Sequence, residues 1–245
     1  MAQPVAVRQI GGATHGFLEV RSSDGHVLAS GDSTRVVRGT RITSRTVLTF
    51  RDGSVDDETT IFSQQRTLQL ITDRHIQRGP SFPHALDTLV DASKGQVTVR
   101  STDSDGKEEV KTEQMKLPPD ICNGMVPTIL ENLRGATTVL TEPMLIFLPK
   151  PRLIKLVISK TGEDDAVVVG ASRKAVHYSI KIDLGGIAGV VAPIIGKAPS
   201  DIQIWTIDGV ATTFARETGP LYAEGPPVTI QLASPSWPDE SSSAH

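Results

Sequence analysis

Short stretches in which apolar and polar residues alternate recur along the chain, and Asp-Gly dipeptides separate several of them. Asp-Gly stands at 24–25, 52–53, 105–106 and 208–209. This dipeptide between alternating stretches is typical of a two-residue β-hairpin turn of type I′, which needs positive φ at both central positions; Gly adopts positive φ without steric cost and Asp tolerates it. The pattern predicts a mainly β, antiparallel protein that is rich in hairpins.

Further strands are predicted where β-prone residues cluster without an Asp-Gly turn. Gly-Glu-Asp-Asp at 162–165 predicts a tight turn between two of them, and the polar stretch 107–112 predicts an edge strand protected by its charges. Turn signals about 10–12 residues apart are typical of a β-sandwich or barrel. We therefore expect an open barrel or a strongly curved sheet, with additional strands at 66–72, 138–148, 153–159, 166–169, 175–182 and 228–232.

One short central helix is predicted near 123–134. Asn123 is a candidate N-cap, apolar residues follow at helical spacing, and Gly135 ends the pattern. The domain organisation that follows is a flexible N-terminal segment at 1–14, a single curved-sheet domain at 15–238 and a disordered tail at 239–245.

The composition excludes several classes of protein. The chain has 245 residues, of which 38% are hydrophobic and 22% charged, which indicates a globular chain rather than a disordered one. Its net charge of −3 gives no electrostatic reason to expect nucleic acid or an anionic membrane as partner. Four arginines recur along one stretch, and we interpret them as a solvated strand face: Arg35, Arg38, Arg41 and Arg45.

Membrane and redox signals are weak. No segment reaches the roughly 18 apolar residues of a membrane span. Residues 1–4, Met-Ala-Gln-Pro, show neither the basic region nor the apolar run of a signal peptide. Cys122 is the single cysteine, so an internal disulfide is impossible, and with no base pattern nearby we interpret it as a buried structural thiol.

Candidate catalytic or metal-binding groups are scattered. His75 and His84 lie nine residues apart around a loop-like stretch, and we interpret them as unrelated polar residues near a turn. The acidic runs at 56–58, 103–106 and 163–165 are interpreted as solvated turn residues. Without a metal cluster or a Gly-x-Ser-x-Gly elbow, the sequence predicts no metal, no cofactor and no enzyme.

The stretch 184–196 is continuously apolar and rich in Gly. Two interpretations remain open: a buried crossover that packs on the sheet, or a mobile lid or lip over a pocket. If it is a lid, the candidate ligand-binding residues lie in it and on the hairpin that follows: Ile187, Val190, Val191, Ile194, Ile195, Trp205 and Phe214.

Four motifs resemble a family of uncharacterised bacterial envelope proteins. They are Thr67–Thr72, the Met115–Asp120 lead into the helix, Lys181–Gly186 running on to Pro193, and Trp237-Pro238. The resemblance covers about residues 15–238. It implies a curved half-barrel, related in shape to lipocalin-like and lipoprotein-carrier folds, a periplasmic or other extracytoplasmic location, and no assigned catalytic residues. Because no signal peptide is predicted, the cytoplasm stays as the alternative location.

The sequence leads to three functional hypotheses. The first is a non-enzymatic protein that binds a lipid or another hydrophobic molecule in an apolar cavity of the curved sheet. The second is an interaction or assembly module with an envelope protein as partner, which docks through 107–112 or 184–196. The third is an enzyme, which would require His75, His84 and a carboxylate to meet in one cleft.

Overall fold

The computed structural model describes residues 4–102, 108–133, 139–147, 150–168, 170–185, 200–207 and 213–234. Within these ranges the chain forms fourteen strands and one short helix. The strands are β1 (Thr14–Ser22), β2 (Val27–Arg38), β3 (Arg41–Phe50), β4 (Val55–Gln64), β5 (Leu68–Arg78), β6 (Leu86–Asp91), β7 (Gln96–Thr102), β8 (Glu108–Gln114), β9 (Val139–Ile146), β10 (Arg152–Val168), β11 (Ala171–Asp183), β12 (Ile202–Ile207), β13 (Thr213–Pro220) and β14 (Pro227–Ala233), and the helix is α1 (Val126–Asn132).

All strands belong to one antiparallel sheet whose order is β8-β7-β6-β5-β4-β3-β2-β1-β14-β13-β12-β11-β10-β9. The two strands most distant in sequence, β1 and β14, therefore pair in its middle, with Phe17 opposite Ala233 and Ser22 opposite Val228. The end strands β8 and β9 do not pair with each other, so the sheet is not closed into a barrel. The predicted mainly β, hairpin-rich curved sheet with one central helix is confirmed.

The first two Asp-Gly signals do mark hairpin turns, but not of the two-residue kind. Gly25 has φ +89° and Gly53 has φ +83°, whereas no Asp among the described residues has a positive φ. The Gly25 N–H donates to the Ser22 carbonyl at 2.9 Å, and the Gly53 N–H donates to the Phe50 carbonyl at 3.1 Å. Each loop therefore has three residues with Gly in the left-handed position. The Asp-Gly pairs at 105–106 and 208–209 lie outside the described residues.

The turn predicted at 162–165 is wrong, because β10 runs through it without interruption. Its register with β11 shifts between Lys160 and Gly162, so a β-bulge absorbs one extra residue. The hairpin turns later, next to Gly170, whose φ is +77°. Acidic side chains suit this strand because Glu163 and Asp165 are exposed.

Both ends of the sheet are protected. The β8 edge is polar and exposed, as predicted for the stretch 107–112. At the other edge, Asn123 covers Leu145 of β9: its side chain accepts a hydrogen bond from the Leu145 N–H at 2.8 Å and donates one to the Leu145 carbonyl at 3.0 Å. Asn123 is therefore not the helix cap, which is Met125; its amide instead takes the place of a neighbouring strand.

The segment 117–133, which we call the plug, lies on the inner face of the curved sheet. One core cluster joins its side chains to those of β3–β7 on one side and β9–β12 on the other. Cys122 is fully buried in this cluster, as predicted. Among the largest fully buried apolar side chains of the cluster are Ile42, Phe62, Met125, Leu130, Leu156 and Ile180.

Polar contacts fix the plug in place. Arg35 of β2 donates two hydrogen bonds to Glu131, at 2.8 and 3.1 Å, and both side chains are almost buried. Arg35 is thus not part of a solvated arginine face, although Arg38, Arg41 and Arg45 are exposed. In the segment 4–13, the backbone N–H groups of residues 8 and 9 both donate to Asn132, at 2.8 and 2.9 Å.

Among the described residues, no helix has the length and apolarity needed to cross a membrane.

Candidate functional site

A group of titratable side chains lies on the inner face of β4 and β5. Asp56, Glu58 and Thr60 alternate inward along β4, and only 8% of Asp56 and 2% of Thr60 are exposed. The interpretation of Asp56 and Glu58 as solvated turn acids is therefore wrong. Asp57 faces outward between them and pairs with Arg45, as strand alternation requires.

The β4–β5 register places His75 directly opposite Glu58 and Gln77 opposite Asp56. His75 Nε2 lies 2.8 Å from Asp56 Oδ1, and the Gln77 amide donates to Asp56 Oδ2 at 2.8 Å. The same Gln77 nitrogen also donates to the Leu221 carbonyl at 2.8 Å, so it connects β5 with the loop after β13. Asp56 is thus held by two partners.

The single carboxyl of β5, that of Asp73, lies next to the plug. Thr60 donates to Asp73 Oδ1 at 2.8 Å, and only 1% of Asp73 is exposed. Gly124 of the plug, with φ +64°, lies so close that an added Cβ would collide with both side chains. The plug therefore closes this end of the group.

Glu217 of β13 reaches the group from the other half of the sheet. Its partners in register are Ile204 and Ile230, and Ile204 belongs to the inner core, so Glu217 faces inward as well. Its charge interacts with that of Asp56. We call Asp56, Glu58, Asp73, His75 and Glu217 the inner acid cluster.

Burial and mutual repulsion shift the protonation of this cluster. Burial, followed by the charge of Glu58, raises the pKa of Asp73 to about 8. Burial, followed by the charge of Asp56, raises the pKa of Glu217 to about 7, and burial also raises the pKa of Glu58. Burial alone would lower the pKa of His75, but its hydrogen bond to Asp56, which accepts, and the nearby carboxylates raise it to about 9. At neutral pH the cluster therefore holds more protons than exposed groups would.

His84 does not join this cluster. It lies in the β5–β6 loop and is exposed, whereas His75 lies within β5 and is not a turn residue. The constellation that an enzyme hypothesis requires is therefore not present. In the described part of the chain, no group of three or more His, Cys, Asp or Glu side chains has the arrangement of a metal site.

An apolar pocket lies at one end of the sheet, where several connections converge. It has a volume of about 410 Å³, and we call it the rim pocket. Phe82 meets Phe50 edge to face at 5.3 Å and Tyr222 at 5.9 Å between ring centroids. Its apolar walls are Leu28, Phe50, Phe82, Leu221, Tyr222 and Val228, and its polar border is His26, Arg51, Asp52 and Ser81.

Hydrogen bonds fix the walls of the rim pocket. The Ser54 N–H and the Ser81 hydroxyl donate to Asp52, at 2.9 and 2.7 Å, and together they lower the pKa of Asp52. The Ser81 N–H in turn donates to the Ser54 hydroxyl at 2.8 Å. The β3–β4 turn and the β5–β6 loop are thus connected, and the pocket is largely pre-formed.

The structure separates the two described residues of the predicted ligand site. Trp205 lies on the outer face, where its ring stacks on the His177 imidazole with 4.3 Å between the ring centroids. The Arg216 guanidinium lies 3.9 Å from the Trp205 ring centroid, and Trp205 Nε1 donates to Asp164 at 2.9 Å. Phe214 is half-buried and packs against the inner core clusters. The other candidates lie outside the described residues: Ile187, Val190, Val191, Ile194 and Ile195.

Sequence reasoning did not select the rim pocket, because its lining comes from four separate connections. The signal that was present is the placement of Phe50 and Phe82, two of only six phenylalanines, immediately before or inside turns. Large aromatic side chains at such positions must find cover from other connections.

No family model matches this chain, and no curated protein matches it. A solved structure that is similar is a beta-barrel-like protein of domain of unknown function DUF1849 from Brucella abortus. The two share 8% sequence identity with a TM-score of 0.45, over 94% of this chain and 97% of that one. A likeness of this degree says nothing about function, so the function has to be inferred from this chain's own side chains.

Proposed function

We propose that the protein binds a small hydrophobic molecule, of the size of a lipid acyl chain, in the rim pocket without chemical conversion. The observation that carries this proposal is the pre-formed apolar pocket of about 410 Å³ with three aromatic rings in its wall. Small-molecule sites have volumes of roughly 300–1,000 Å³ and a mainly apolar lining with a few polar groups. The rim pocket meets each of these criteria.

The outer face offers a larger depression, of about 590 Å³, but its chemistry is less suitable. Its lining includes the carboxylates of Glu19 and Asp32. An apolar ligand there would remove water from charged groups without replacing their hydrogen bonds, which costs free energy. The rim pocket carries its polar groups only at the border, where Asp52 is already satisfied by Ser54 and Ser81.

Titration with the neutral fluorescent probe N-phenyl-1-naphthylamine tests the proposal. We expect saturable binding to the wild-type protein, and a discrete lipid-sized adduct in native mass spectrometry of the gently purified protein. Val228→Trp fills the pocket from its wall and should weaken probe binding by at least about tenfold, because a ligand depends on the apolar surface that it buries.

Val36→Trp is the matched control, since Val36 is 51% exposed on β2, away from the pocket. Its probe affinity should equal that of the wild type. If Val228→Trp fails to fold, Tyr222→Ala removes a half-buried part of the wall and should also weaken binding. Equal affinity of the wild type and a folded wall variant would show that the rim pocket is not the site.

A further inference from the structure

Hydrogen-bond donors outnumber free acceptors at the polar border of the rim pocket. The two carboxylate oxygens of Asp52 already accept from the Ser54 N–H and the Ser81 hydroxyl, at 2.9 and 2.7 Å. The Arg51 side chain, by contrast, makes no hydrogen bond or ion pair with any described residue. A guanidinium has only N–H donors and no acceptor, so the border lacks a group that accepts from it.

The backbone places Arg51 beside the apolar wall of the pocket. Arg51 directly follows β3, and its N–H donates to the Leu28 carbonyl of β2 at 3.1 Å. Leu28 lines the rim pocket, and residues that face each other on neighbouring strands lie close together. Because Arg51 is exposed and also belongs to the lining, a positive charge stands where the apolar wall meets water.

The other polar groups around the border do not supply this acceptor. Asp24 Oδ2 lies 3.6 Å from His26 Nε2, so Asp24 is engaged by His26 and not by Arg51. The hydroxyl of Tyr222, a residue of the pocket wall, likewise has no hydrogen-bond partner among the described residues. Water satisfies accessible donors of this kind, and a ligand that carries its own acceptor replaces that water.

We propose that the ligand of the rim pocket is a single acyl chain that ends in a carboxylate, and that Arg51 binds this carboxylate at the mouth of the pocket. A guanidinium presents its donors in a planar fork that matches the two oxygens of a carboxylate. A cationic head group would meet Arg51 with like charge, and a neutral one would gain no charge-assisted hydrogen bond. The inference rests on the proposed function, which it narrows from a small hydrophobic molecule to a fatty acid.

Displacement of N-phenyl-1-naphthylamine by decanoate and by 1-decanol at pH 8 tests the inference. The two competitors have chains of the same length, so the ratio of their affinities reports on the head group, and each affinity is calculated with the probe affinity of the same variant. We expect Arg51→Gln to lower the decanoate-to-decanol ratio by at least about threefold, because it removes an accessible charge partner. Arg51→Lys keeps the charge without the planar fork and should give an intermediate ratio. In about 1 M NaCl, where charges are screened beyond about 3 Å, the ratio of the wild type should also fall.

Arg41→Gln is the matched control, because Arg41 is also exposed but begins β3, the strand that Arg51 follows. It removes the same charge from the other end of the strand, and its decanoate-to-decanol ratio should equal that of the wild type. An unchanged ratio in folded Arg51→Gln, an equal fall in Arg41→Gln, or a ratio that salt does not alter would each overturn the inference. The proposed function survives these results if Val228→Trp still weakens probe binding. Absence of probe binding to the wild type would instead overturn the proposed function, and this inference with it.

Discussion

The ion pair between Arg35 and Glu131 fastens the plug to the inner face of the sheet, and we expect Arg35→Met to be severely destabilising. The Arg35 and Glu131 side chains are only 12% and 7% exposed, and Arg35 also donates to the Thr128 hydroxyl at 3.2 Å. Removing one partner of a buried pair leaves the other charge buried without a partner, which lowers the free energy of unfolding by about 3–5 kcal/mol. For a chain of this size that lowers the Tm by about 10 °C.

A double variant distinguishes lost packing from a stranded charge. Arg35→Met/Glu131→Met replaces the pair by apolar side chains of similar length, and we expect it to recover at least about 2 kcal/mol of the loss. The control is Arg45→Met, which breaks the exposed bidentate pair with Asp57 (2.9 and 2.7 Å) and should cost less than about 1 kcal/mol.

Urea unfolding followed by circular dichroism gives the free energy of unfolding of all four proteins. The reasoning is refuted if Arg35→Met costs no more than Arg45→Met, or if the double variant is as unstable as Arg35→Met. Either result would mean that the plug is held by its apolar contacts alone.

Three further predictions follow from buried polar groups. Asn123→Ala leaves the N–H and carbonyl of Leu145 without their partner and should cost about 2–4 kcal/mol in urea unfolding, with faster amide exchange on β9. Stability should fall as the pH rises from about 4 to 9, because the folded state retains protons on Asp73 (pKa about 8) and His75 (pKa about 9) that the unfolded groups release near pH 3.8 and 6.5. Asp73→Asn removes one of these groups and should flatten the decline of Tm below pH 8. An unchanged slope of Tm against pH would contradict this prediction. Burial raises the pKa of the Cys122 thiol, so iodoacetamide should label it only after denaturation, and rapid labelling of the native protein would show that the plug opens.

Local sequence signals predicted many of the strands and two of their turns, because a hairpin is specified by neighbouring residues; they did not predict that β10 continues through 162–165. Gly25 and Gly53 adopt the positive φ that the Asp-Gly pattern predicts. The order of the strands is not a local property. Nothing next to Phe17 in sequence indicates that Ala233 will lie opposite it.

The inner acid cluster was missed for two different reasons. Asp56 and Glu58 share the parity of Phe62, so strict alternation along β4 places all three on the inner face; the cluster of charges outweighed that signal and was assigned to a turn. Glu217, by contrast, joins them only through the strand order and the curvature of the sheet. Arg35 was assigned to a solvated face for the same reason, since its partner Glu131 lies 96 residues away.

The pairing of β1 with β14 has a consequence for the way the chain is made. The hydrogen-bonding edge of β1 finds its partner only when residues 228–233 have been synthesised. At about 5–20 residues per second, this edge waits roughly 10–40 s on the ribosome. During that interval the eight strands β1–β8 can form a ladder, but β9–β12, which supply the other half of the core around the plug, are not yet in place. The nascent chain thus presents an unpaired edge to its neighbours, and its yield in the cell should depend on translation speed and on chaperones that shield β1.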